Sequence, residues 1–136
     1  MKLLTLFILL GLIPLQARIG ENWQDAKKRY GNLKLMEDSE FGPEYGITKN
    51  NASVYMRFHR ATQTIYTMEY ILPPDITERQ LSSLLEKNVD GKWHIGEDKI
   101  SLIHHSGRYL ANITPKIVLS EEMPRIAYIK LKIVDL

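Results

Sequence analysis

Residues 54–72 constrain the fold of this chain more than any other stretch. Val54, Met56 and Phe58 alternate with Tyr55, Arg57 and His59, which is the period of a strand with one face buried. The return run is Thr64 to Leu72. Setting Met56 opposite Met68 puts Phe58 opposite Tyr66 and Val54 opposite Tyr70, so that all six share one face. Arg57, His59, Thr67 and Glu69 take the other. A hairpin with one apolar face needs a second layer, and the next residues supply a helix. Pro73-Pro74 ends the strand, Thr77 and Gln80 form a T-x-x-Q capping box, and Ile76 and Leu81 flank it as a hydrophobic staple. Leu81, Leu84 and Leu85 make the apolar stripe, and Asn88 with Asp90-Gly91 stops it.

The remaining segments read less sharply. Residues 21–30 form a short helix with Trp23, Ala26 and Tyr30 on one face and Gly31 as its stop. Lys27-Lys28-Arg29 is the one dense basic run, at a helix end where cations suit the helix dipole. Leu33 to Met36 is a short strand. Glu37 to Asn51 reads as a loop, because its acids are interspersed with Gly42, Pro43 and Gly46. Lys92 to Ile95, Lys99 to His105 and Arg108 to Thr114 are strands, with turns at Gly96-Glu97-Asp98 and Ser106-Gly107. In the last strand, Arg125 to Val134, Ala127, Ile129, Leu131 and Ile133 face inward. Tyr128, Lys130 and Lys132 face out, and the two lysines suit a sheet edge. The pattern predicts a single α+β domain over residues 18–136, with no internal repeat. One antiparallel sheet of about five or six strands carries two helices packed on one face.

Met1 to Ala17 reads as a secretory signal peptide: Lys2, an apolar run from Leu3 to Ile13, Pro14, then Leu15-Gln16-Ala17. The run is shorter than the about twenty residues that a membrane-spanning helix needs, so no stable membrane insertion is expected after cleavage. The chain has no cysteine. That removes thiolate chemistry, disulfides and Cys-ligated zinc, and it places an exported domain in a bacterial periplasm or medium. A formal charge of +2 is too small for a nucleic-acid binder.

No motif frames a reaction centre. His104 and His105 are adjacent in a strand, so their side chains are expected on opposite faces. His94 sits about 13 Å along the sheet from His104, four residues at about 3.4 Å each. Neither a metal nor a cofactor is expected. Ser101 or Ser106 with His104 or His105, oriented by Glu97 or Asp98, would be the nucleophilic set, but no G-x-S-x-G, H-E-x-x-H or phosphate loop surrounds them. Aromatic residues beside Arg are the currency of binding hot spots. Trp93, His104, Arg108 and Tyr109 are therefore the candidate ligand-binding residues. The reading is an exported binding domain of the bacterial envelope with a protein or small-molecule partner. The alternative is a small periplasmic hydrolase using the hairpin region 94–109.

The order of Trp23-Gln24-Asp25-Ala26 and Arg29-Tyr30-Gly31, a hairpin, then Leu81 to Asn88 followed by Gly91 and Trp93 resembles small uncharacterised exported proteins of environmental bacteria. The resemblance implies a small periplasmic or secreted domain and transfers no functional residue. The capping box gives a direct test: Thr77→Ala lowers stability by about 1 kcal/mol, read as a fall in the thermal midpoint.

Overall fold

The hairpin at residues 54–72 lies inside an eight-stranded sheet. The computed structural model describes residues 18–49, 52–98, 101–118 and 125–136, so the export reading of Met1 to Ala17 falls outside the described residues. Helix α1 (Trp23–Tyr30) is followed by β1 (Lys34–Ser39), β2 (Gly42–Lys49), β3 (Ala52–Phe58) and β4 (Ile65–Leu72). Helix α2 (Glu78–Asn88) then leads into β5 (Trp93–Ile95), β6 (Ser101–His104), β7 (Tyr109–Val118) and β8 (Arg125–Asp135). The strand order is β1-β2-β3-β4-β8-β7-β6-β5, and every neighbouring pair is antiparallel.

This corrects the expected fold of five or six strands with the helices covering a face. The helices have only 8 and 11 residues. They are about 12 and 17 Å long, against about 33 Å across eight strands, so the sheet dominates the molecule. It also contains a repeat that the sequence hides. Each half is a helix followed by a four-strand meander, and the halves meet where β4 pairs with β8, with Tyr70 opposite Leu131. The last strand is therefore central. Lys130, read as a guard of the edge, forms a 2.7 Å ion pair with Glu69 on β4.

The register of the central hairpin is Met56 opposite Met68 and Val54 opposite Tyr70. A bulge between Arg57 and Phe58 then shifts it, so that Ile65 and not Tyr66 lies opposite Phe58. Ile65 is buried, while the Tyr66 ring stacks on His59 with centroids 4.2 Å apart and its hydroxyl donates to the Phe41 carbonyl.

The segment read as a loop, residues 37–51, is mostly strand: β1 runs to Ser39 and β2 begins at Gly42. Gly42 has φ +103°, which a glycine adopts without strain, and makes the tight turn. Three of the four acids that argued for solvent, Glu37, Asp38 and Glu44, are neutralised from β3 and the loop after it. Arg57 donates to Glu37 at 3.2 Å, to Glu44 at 3.1 Å and to the Gly42 carbonyl at 2.8 Å. Arg60 reaches Asp38 at 2.5 Å and the Ser39 carbonyl at 2.7 Å.

One face of the sheet holds the core: Val54, Met56, Met68, Tyr70, Leu72, Ala111, Leu131 and Ile133, joined by Ala26 and Tyr30 of α1 and Leu84 and Leu85 of α2. The capping box of α2 is present with both of its hydrogen bonds. The start of α1 is pinned to the start of β4. Gly20 N–H donates to the Ile65 carbonyl at 2.8 Å, Trp23 N–H to Gln63 at 2.9 Å, and Ile65 N–H to Glu21 at 2.9 Å. Asn88, 3% exposed, accepts from Ile19 N–H at 3.2 Å and donates to the Tyr70 hydroxyl at 2.6 Å.

Burial pushes the phenols of Tyr30 and Tyr70 far above the ordinary tyrosine range. The unfolded chain ionises them near pH 10 and the native chain does not, so their contribution is intact below about pH 10 and is lost as pH rises beyond it. In an alkaline titration of the native protein followed by phenolate absorbance, Tyr30 and Tyr70 ionise only with unfolding. Native-state titration of all seven tyrosines contradicts this packing.

Candidate functional site

The structure brings Trp93, His104, Arg108 and Tyr109 together, but turns most of their chemistry inward. Trp93 pairs with His104 across β5 and β6, and their rings meet edge to face at 5.3 Å. Tyr109 approaches the same imidazole from another side at 5.6 Å. Both aromatics are half-buried, and Trp93 Nε1 is buried with no hydrogen-bond partner among the described residues. Arg108 alone is exposed. Its guanidinium sits 5.3 Å over the Tyr109 ring and grips Asp135 with two hydrogen bonds of 2.9 and 3.0 Å. That hydrogen-bonded carboxylate raises the Arg108 pKa.

His104 is 3% exposed and both of its ring nitrogens are engaged. Nε2 lies 2.7 Å from the Asp90 carbonyl, which can only accept, so Nε2 carries the proton. Nδ1 then accepts from the Ser106 hydroxyl at 2.8 Å and from Ser106 N–H at 3.3 Å. The expectation that His104 and His105 point apart is corrected: their ring centroids are 4.2 Å apart, because β6 ends at His104 and His105 begins the turn. Gly91, at φ +118°, lets the two rings lie on the backbone; a Cβ there would be 2.8 Å from His104 Nε2. The expected separation of His94 from His104 by four residues is also corrected: His94 lies opposite Ile103, one register position away. With both nitrogens of His104 occupied, the pair offers no chelate, and no group of three or more potential ligands is found among the described residues. Ser101, the other candidate nucleophile, donates its hydroxyl to Asp98 at 2.7 Å, as its backbone N–H does at 2.9 Å.

A recess lies elsewhere, beside β2. β1 begins at Lys34, paired with Gly46, so beyond that point Ile47–Lys49 has β3 on one side and no β1 residue on the other. A groove of about 580 Å³ fills this gap. Tyr30, Gly31 and Asn32 form one wall, at the end of α1. Lys34, Met36, Ile47, Thr48 and Tyr55 complete it. Its floor exists because residue 46 is glycine. The Tyr55 ring lies across it, and a Cβ at that position would be 2.8 Å from Tyr55 Cδ1 and 3.1 Å from Met36 Cγ. Reading residues 37–51 as a loop hid this groove. The signal was present in Tyr45-Gly46-Ile47-Thr48, a strand-forming run whose glycine an aromatic neighbour covers.

A smaller recess of about 240 Å³ lies at the opposite end of β2, between Pro43, His59, Arg60 and Gln63. It overlies the rings of Trp23, Tyr45 and Phe58, whose centroids are 4.2 to 5.9 Å apart. These rings dock α1 on the sheet.

Compared with protein-family models, with curated proteins and with solved structures, the chain shows no match. No helix among the described residues is long and apolar enough to cross a membrane. The enclosure of His104 gives its side chain a part in stability. His104→Ala lowers stability by about 2 kcal/mol or more, through lost hydrogen bonds and an emptied site, read as a fall in the urea midpoint; an unchanged midpoint contradicts the enclosure.

Proposed function

We propose that this protein is a non-enzymatic binding domain of the bacterial envelope, and that its partner enters the groove beside β2. The observation that supports the reading is the open side of Ile47–Lys49. Backbone groups there have no neighbouring β1 residue, and Met36, Ile47 and Tyr55 offer apolar contact on the two faces of the strand. An exposed strand edge recognises an extended partner through main-chain hydrogen bonds, with flanking side chains giving selectivity. The export reading of Met1 to Ala17 supplies the compartment.

A photo-crosslinking residue at Thr48, compared with one at exposed Lys132 on β8, tests the assignment in the native host. A discrete adduct from position 48 and none from 132 is expected. No adduct at 48, or the same adducts from both, overturns it.

One observation favours the hydrolase reading: the 2.8 Å contact between the Ser106 hydroxyl and His104 Nδ1, with Nε2 oriented by a carbonyl. Nucleophile and base have that relation in acyl transfer. The turn, however, uses its nearby donors internally: Gly107 N–H bonds the His104 carbonyl and Arg108 N–H the Ser106 hydroxyl, so neither is left for an oxyanion. A fluorophosphonate probe leaves Ser106 unlabelled in the binding reading; stoichiometric labelling that His104→Ala abolishes would establish the hydrolase instead.

A further inference from the structure

We infer that the occupant of the β2 groove is an acidic, extended polypeptide segment that adds to Ile47–Lys49 as a strand in line with β1. The inference rests on the binding reading above and specifies its partner. Three observations carry it. The first is the edge at Ile47–Lys49, open among the described residues, which β1 leaves because the chain must turn at Gly31 and enters the sheet only at Lys34.

The second is charge. Lys34 lines the groove, and Lys27 and Lys28 stand in the last turn of the helix that walls it. None of the three forms an ion pair among the described residues, whereas Arg29 beside them is held by Glu21 at 3.1 Å. Glu37 and Glu44 are committed to Arg57, Asp38 to Arg60 and Glu69 to Lys130, whereas Asp25 on α1 and Glu40 in the turn after β1 form no ion pair among the described residues. Lys34 is the one charged side chain among the described residues that line the groove, and with Lys27 and Lys28 nearby it gives the groove a positive character.

The third is the alternation of its lining. Met36 and Tyr55 lie on the sheet face away from the core, and Ile47 on the core side, so an added strand meets an apolar surface with alternate side chains. The outer edge of β1 is a poorer template. A register shift between Leu35 and Glu37 kinks it, which is how edge strands discourage further pairing. Addition is thereby directed to the gap at Ile47–Lys49 and away from the edge of β1.

The test uses defined probes and the whole protein. A fluorescent peptide alternating valine and glutamate is compared by anisotropy with the same peptide carrying lysine for glutamate, and with vesicles of phosphatidylglycerol. The acidic peptide is expected to bind at least about tenfold more tightly than the basic one and to weaken with added salt. Lys34→Glu should reduce that affinity by about tenfold, and Lys34→Gln by less; the exposed position of Lys34 keeps both variants folded. Tyr55→Ala should weaken both peptides alike. Equal affinity for the two peptides, no binding of either, insensitivity to Lys34, or capture by vesicles without capture of the peptide overturns the inference. If crosslinks from position 48 persist while the charge preference fails, the acidic partner is wrong and the groove stands. If both fail, the groove itself is wrong.

Discussion

The side chain of Asn88 is the junction on which the arrangement of this protein depends. It is the last residue of α2, it receives Ile19 N–H from the chain leading to α1, and it donates to Tyr70 in the middle of β4. One buried amide therefore joins both helices to the strand at which the two halves of the sheet meet. A buried amide that loses either partner costs about 1–3 kcal/mol, so the three segments are held to one mutual arrangement. Helices of 8 and 11 residues are too short to persist alone, and their positions come from such contacts.

That junction bears on the groove. The N-terminal side of α1 is held by Asn88 through Ile19, by the bonds of residues 20–23 to 63–65, and by the Trp23 ring on Tyr45 and Phe58. With its start fixed and Tyr30 sunk into the core, the end of α1 must fall beside β2, and the chain needs Gly31 to Leu33 to turn back into the sheet. The gap at Ile47–Lys49 is the consequence. The gap is thus a product of where one helix must end, and its charge comes from Lys34 at the start of β1, with Lys27 and Lys28 in the last turn of α1 nearby.

Signals local in sequence were the legible ones. The alternation of Val54, Met56 and Phe58, the capping box at Thr77 and Gln80, and the face of Trp23, Ala26 and Tyr30 each rest on residues within a few positions of one another. What the sequence hid depends on distant partners. The strands at residues 37–51 required Arg57 and Arg60 to neutralise Glu37, Asp38 and Glu44. The central place of β8 required Glu69 to take Lys130. The bulge after Arg57, which turns Tyr66 away from Phe58, has no signature in the alternation. Of the candidate site, the approach of His104 and Tyr109 follows from the Ser106-Gly107 turn, but the place of Trp93 opposite His104 was not legible, because the β5–β6 register differs from the one that the spacing gave; nor was the burial of His104, because Asp90 and Gly91 close over it from the end of α2. The groove was missed together with β2, although Tyr45-Gly46-Ile47-Thr48 carries a strand signal.

Hydrogen exchange at the backbone amides of β2 tests the central claim, that the open edge at Ile47–Lys49 is where the protein works. Those amides that face the gap should exchange freely in the protein alone and slow markedly when the alternating valine–glutamate peptide is added, while the amides of Trp93–Ile95 on the far edge are unchanged. Peptide binding that leaves residues 47–49 unprotected, or that protects the far edge instead, would contradict the account.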